Sequence, residues 1–210
     1  ANTDTFRIEV IGTTVNYYVN GLLRYTSSNS PTAPLLVDVS LFTNNATING
    51  VTLTDIGSTP FFLNATGVST TADSLTKTAA NGWGNAGAST STNLTGDGYV
   101  EFTTAENTTS KIAGLSNGDT DRSLGDIDFG IYMLSTGGLL IYEGGTPTTY
   151  SGSYAASDVF RVDVTSNVVT YYQNGSLIYT SAVSPTAPLR FDSALFTNGA
   201  TINSIAFTTP

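Results

Sequence analysis

Asn117, Asp119, Asp121 and Asp128 stand at the first, third, fifth and twelfth positions of one stretch of chain, the spacing at which a calcium loop presents oxygen ligands. Two positions depart from that pattern. Arg122 sits where such a loop turns on glycine, and Asp128 replaces the bidentate glutamate. Calcium is therefore the one cofactor the spacing admits. The plainer account is that aspartates collect in turns because their side chains satisfy turn backbone.

A second chemistry is sugar stacking. Trp83, the single tryptophan, lies in Asn81-Gly82-Trp83-Gly84-Asn85. Small neighbours would expose an indole face to a sugar ring, while Asn81, Asn85, Asp119 and Asp121 bond its hydroxyls. The competing account is that Trp83 packs, since large aromatics are mostly buried. The pairs Tyr17-Tyr18 and Tyr171-Tyr172 pose the same choice, because adjacent residues on a strand face opposite ways. One tyrosine of each pair either packs across strands or offers a platform to a sugar or another subunit.

Asp126 and Asp128 would share one face of a strand, with Glu101 opposing them from another. Retaining glycosidases place two carboxyl groups about 5 Å apart. The chain lacks a Glu-rich strand motif of that kind, and solvent-facing acids account for these residues. The absence of His and Cys removes more. Without imidazole there is no Ser-His-Asp or Cys-His machinery and no ordinary catalytic zinc. Without cysteine there is no disulfide to report a redox compartment. The expectation is a protein that is not an enzyme.

A net charge of -9 with 7 Lys and Arg argues against nucleic acid and anionic membrane surfaces as partners. No apolar run approaches the roughly 20 residues of a membrane-inserted helix. Asn-x-Ser/Thr sequons at Asn45, Asn64, Asn93, Asn107 and Asn174 are candidate glycosylation sites. Together with an N-terminal Ala and no charged and apolar leader, they lead us to expect a secreted, extracellular or cell-surface protein.

The elements that must hold these residues are strands. Charged residues make up 11%, against about 25% in ordinary soluble domains, and Thr, Ser, Asn and Gly are abundant. Asp4 to Leu53 aligns without a gap on Asp158 to Phe207, with more than half of the positions identical. Phe6, Ile8 and Val10 alternate with Arg7 and Glu9, as Phe160, Val162 and Val164 do with Arg161 and Asp163: the period of a half-buried strand. Asn20-Gly21 and Asn174-Gly175 then predict tight hairpins. Pro31-Thr32-Ala33-Pro34 and Pro185-Thr186-Ala187-Pro188 break the ladder before another strand from Leu35 or Leu189, giving a four- or five-strand meander per copy. Between the copies, strands are expected over residues 74–78, 82–92, 99–103, 111–116, 126–134 and 139–143.

Gly67-Val68-Ser69, Ser74 to Thr78, Gly82-Trp83, Asn85 to Ala88, Gly96 to Phe102, Gly114 to Asp119 and Asp126 to Phe129 resemble the lectin-like modules of large bacterial surface (adhesin) and RHS-repeat proteins. The hairpin from Asp158 through Tyr171-Tyr172-Gln173-Asn174-Gly175 is also similar to the end of SPRY and laminin-G-like domains. That resemblance implies an all-β antiparallel sandwich of the concanavalin-like jelly-roll type with an extra N-terminal half-repeat. Residues 1–54 would be an orphan half, 55–62 a linker, and 63–210 a complete module whose residues 158–207 duplicate 4–53.

Half a sandwich leaves an apolar face and strand edges uncovered. The leading expectation is thus a non-enzymatic repeat module of an extracellular fibre or adhesin. Its partners would be neighbouring copies of itself, joined by strand sharing through Phe6, Ile8, Val10, Tyr17, Tyr18 and Phe42. The alternative is a carbohydrate-binding module for cell-surface or environmental polysaccharide.

Overall fold

The computed structural model describes residues 4–11, 13–31, 35, 37–52 and 62–208. Thr32, Ala33 and Pro34 of the first Pro-Thr-Ala-Pro copy, and residues 55–61 of the expected linker, lie outside the described residues. Among the described residues there is no helix. The chain divides into two compact units, Ala1–Ile56 and Gly57–Pro210.

The first unit carries β1 (Phe6–Ile11), β2 (Thr14–Val19) and β3 (Leu22–Thr26) in one antiparallel sheet of that order. Asn20 and Gly21 close the β2–β3 hairpin with φ of 53° and 78°, the paired positive values that match strand twist. The Asn20 Oδ1 also accepts the Thr5 N–H at 2.9 Å, tying the turn to the start of β1.

The second unit runs through β4 (Phe62–Thr66), β5 (Val68–Thr70), β6 (Leu75–Lys77), β7 (Gly87–Thr90), β8 (Asn93–Leu94), β9 (Gly98–Thr103), β10 (Lys111–Ser116) and β11 (Phe129–Met133). It continues with β12 (Gly138–Glu143), β13 (Thr146–Ser153), β14 (Val159–Thr165), β15 (Val168–Gln173), β16 (Ser176–Thr180), β17 (Leu189–Leu195) and β18 (Thr201–Thr208). One sheet has the order β13-β12-β11-β10-β17-β7-β4, with β8 also on β17, and the other β16-β15-β14-β9-β18-β6-β5. These two antiparallel sheets form a sandwich. Alternate residues Val100, Phe102, Leu115, Ile131, Phe160, Val162 and Phe191 fill the space between them and are fully buried.

The repeated strands keep one register. Ile8 faces Tyr17 as Val162 faces Tyr171, and both β2–β3 and β15–β16 shift register between their paired tyrosines. Asn174 and Gly175 repeat the hairpin with φ of 50° and 76°. The second half of the repeat diverges. Residues 37–52 contain no strand, whereas their counterparts form β17 and β18. The meander of four or five strands is corrected to three among the described residues of the first unit. The reason is pairing: β17 lies between β10 and β7, and β18 between β9 and β6, partners with no counterpart in residues 4–53.

Two further strand expectations shrink. Over residues 82–92 only Gly87–Thr90 is strand, because glycines and a buried lysine draw 82–86 into a loop. Over residues 126–134 the strand begins at Phe129, since Asp126 and Asp128 are bonded to turn backbone.

Candidate functional site

The outer face of the eight-stranded sheet is set by alternation. Ala113 and Leu115 of β10 join the main core, so Ile112 and Gly114 point the other way. Ile112 pairs with Ala194, and Gly114 with Asp192, which puts Asp192 on that outer face. The loop 117–128, between β10 and β11, folds over it. Ile127 packs on Ile112 and Ala194, and the Arg122 side chain lies 3.4 Å from where a Gly87 Cβ would stand. Gly87 is small because a Cβ there would stand 2.1 Å from the Ser193 carbonyl oxygen of the neighbouring strand.

Under this loop three carboxylates converge. One ligand atom each from Asp119, Asp126 and Asp192 lies within 4.8 Å of the others. Asp119 Oδ2 accepts Ser89 Oγ–H at 2.6 Å and Asn64 Nδ2–H at 2.9 Å. Asp126 accepts the Thr120 hydroxyl at 2.5 Å and its N–H at 2.9 Å. Asp192 is 2% exposed; its Oδ1 takes the Ser193 N–H, and its Oδ2 is buried with no hydrogen-bond partner. Burial raises the Asp192 pKa to about 8, with the charges of Asp119 and Asp126 adding to it and Arg190 opposing.

Beside the loop lies an aromatic patch. Trp83 is half-buried, with its ring centroid 5.7 Å from Tyr132 and 5.3 Å from Phe196, and Tyr132 meets Tyr142 edge-on at 5.2 Å. Trp83, Tyr132 and Tyr142 cover the small apolar cluster of Ile112, Ile127 and Ala194. The loop carrying Trp83 is held from below by Lys77, whose Nζ donates to Gly82 O, Asn85 Oδ1 and Leu195 O. Asn85 thus accepts from Lys77, and Asn81 Oδ1 caps the Asn198 N–H.

A cleft of about 440 Å³ opens between the loop 117–128, the β12–β13 turn and the segment before β17. Asn117, Asp128, Glu143, Ser184 and Thr186 line it with polar groups, and Val183 and Phe129 with apolar ones. Asn117 Nδ2 donates to Thr186 O and Pro188 O at 2.9 Å each, so the loop and the strand entry are fixed to one another. Glu143 accepts the hydroxyl of the buried Tyr171.

The residues expected from sequence are divided among these places. Asn117 and Asp128 line the cleft, and Asp128 Oδ2 accepts the Asn117 N–H. Asp121 caps Ser123 in an exposed turn. Asp119 alone of the calcium-like spacing joins the carboxylate trio, so that spacing does not act as one ligand set. Glu101 pairs with Arg161 in the other sheet and opposes neither Asp126 nor Asp128, which corrects the expected carboxylate pairing.

Tyr171 is buried and Tyr172 half-buried, while Tyr18 stacks under Arg7 at 3.9 Å and Tyr17 is exposed. Phe6, Ile8, Val10 and Phe42 are exposed. Of the sequons, Asn45, Asn64, Asn93 and Asn174 are exposed and Asn107 half-buried, though the Asn64 and Asn174 amides already donate to Asp119 and Asp158.

Asp192 and Glu143 were missed. Asp192 had a signal: it is the lone charge in the apolar run Phe191 to Phe196, and the other copy keeps Asp38 at that place.

No protein-family model matches the sequence, and no curated protein matches it. Solved structures share the fold. The PSpry domain of TRIM65 matches with a TM-score of 0.51 and 13% identity, covering 69% of this chain and 88% of that one. The carbohydrate recognition domain of Emp46p in metal-free form matches at 0.53 and 11%, covering 68% and 85%. A human SPRY domain matches at 0.50 and 12%, covering 67% and 94%. The likeness is one of jelly-roll fold.

Proposed function

We propose that residues 62–208 form a non-enzymatic carbohydrate-binding module that holds a neutral saccharide in the cleft between Asn117, Glu143 and Val183. The cleft carries this reading: its size suits a small ligand, and its convergent amide, hydroxyl and carboxylate groups suit sugar hydroxyls. The carbohydrate recognition domain of Emp46p has the same sandwich, which supports it. Two carboxylates in the cleft and a net charge of -9 repel anionic polysaccharide, so a neutral sugar is favoured. The test is a glycan array with the intact chain, followed by calorimetry on Val183→Trp, which fills the cleft from an exposed position, and Glu143→Gln. Binding that both variants leave unchanged, or no binding at all, sinks the reading.

A second reading rests on a different observation. Phe6 and Ile8 are 74% and 67% exposed, while Phe160 and Val162, at the same positions of the other copy, are fully buried. In the second unit β9 lies beside β14, with Glu101 bonded to Arg161 at 2.7 Å. We propose that β1 takes a strand of this chemistry, with alternating apolar residues and an acid opposite Arg7, from a neighbouring module of an extracellular array. Light scattering across a concentration series decides it. A monomer at every concentration excludes this assembly.

A further inference from the structure

We propose that Asp119, Asp126 and Asp192 form a calcium site between the loop 117–128 and β17, independent of any saccharide. Calcium takes oxygen ligands at roughly 2.3–2.6 Å, so ligands on opposite sides of the ion are about 4.6–5.2 Å apart. The three carboxylate oxygens, all within 4.8 Å of one another, fit that span.

The acidic cluster alone would be ordinary. What points to a ligand is Asp192: it is 2% exposed, its neighbours in the cluster are carboxylates, and its Oδ2 has no hydrogen-bond partner. A buried carboxyl oxygen left without a partner is costly, and a cation among three carboxyl groups is the group that relieves it. The neighbouring cations leave that oxygen unpaired, since Arg122 donates from Nη2 to Asn64 O and the Nε atoms of Arg122 and Arg190 are themselves unpartnered.

The surroundings are built to hold the carboxylates in place. Ser89 and Asn64 orient Asp119 from β7 and β4, and the Thr120 and Asp121 N–H groups orient Asp126. The donors are all oxygen, with no imidazole or thiolate in the chain, which selects a hard cation. The ligands come from a loop and a strand far apart in sequence, an irregular set that suits calcium better than the strict octahedron of magnesium.

The test uses the full chain and calcium alone, without sugar. Calorimetric titration after EDTA treatment should show one saturable ion per chain and a raised melting temperature, with magnesium at least tenfold weaker. Asp192→Asn, which removes the ionisable ligand and keeps the shape, should weaken calcium by roughly tenfold or more; Asp126→Asn should do the same. Asp163→Asn, on β14 of the other sheet, should bind as the parent does. No saturation by about 10 mM calcium, well above the range of weak extracellular sites, overturns the proposal. So does a folded Asp192→Asn that binds calcium unchanged, or equal affinity for magnesium.

Discussion

Lys77 Nζ stands 2.5 Å from Asn85 Oδ1, beneath the loop that carries Trp83. The lysine is 1% exposed, its other partners are the carbonyls of Gly82 and Leu195, and burial lowers its pKa. It binds a loop to a sheet through three acceptors, of which the Leu195 carbonyl is buried.

Replacing it by methionine keeps the stem and strands those acceptors. Lys77→Met should cost about 2–3 kcal/mol in denaturant unfolding and shift the emission of Trp83 to the red as the loop loosens. Because Trp83 is the only tryptophan, the spectrum reports that loop alone. Unchanged emission would mean the loop is held by its ring contacts.

Asp192 sets a pH dependence whose sign is the reverse of an ordinary paired carboxylate. Its folded pKa of about 8 lies above the ordinary aspartate value of 3.8, so the folded state holds the proton more tightly. Stability should be greatest at the acid end of that window and decline as pH rises from about 4 to 8, by at most about 1.4 kcal/mol per unit. The groups facing it are Asp119, Asp126 and Arg190. In EDTA, melting temperatures of the parent minus those of Asp192→Asn should trace the decline; parallel curves would refute it.

Glu106 accepts from the fully buried Lys111 and from Thr109 and Thr201; burial pushes its pKa up, but these bonds together outweigh that and hold it below the ordinary carboxylate value. Glu106→Gln leaves a buried ammonium without its counter-charge and should cost about 3–5 kcal/mol. The double variant with Lys111→Met should recover much of that. If it does not, packing rather than charge is what Glu106 supplies.

Phe6 and Phe160 are the same residue at the same register. Phe160→Ala should cost about 3–5 kcal/mol, and Phe6→Ala within about 0.5 kcal/mol at low protein concentration. A cost for Phe6→Ala that grows with concentration would mark a partner covering β1.

The hairpins and the inward alternation were legible because both are local: Asn-Gly sets turn geometry, and Phe160, Val162 and Val164 carry the period of two. The failure at residues 37–52 was not legible. Leu35 and Val37 read as strand, but β17 forms only where β10 and β7 flank it. The site was legible in pieces. Spacing found Asp119, whereas Asp126 and Asp192 meet it only through the register of Gly114 with Asp192, a long-range pairing that spacing along the chain does not encode.

Two copies of one hairpin in a single chain also bear on how that chain folds. β9 must choose between β14 and β1, which carry the same Phe-Arg pair in the same alternation. The choice is kinetic before it is energetic. β14 is joined to β15–β18, and so brings β17 and β18 with it; β1 brings no strands beyond β2 and β3 among the described residues. An early β1–β9 pairing is therefore a trap that only unfolding resolves, the kind of misassembly that repeated modules favour. Refolding of the whole chain should show a slow phase that disappears when Phe6 and Ile8 are both made serine.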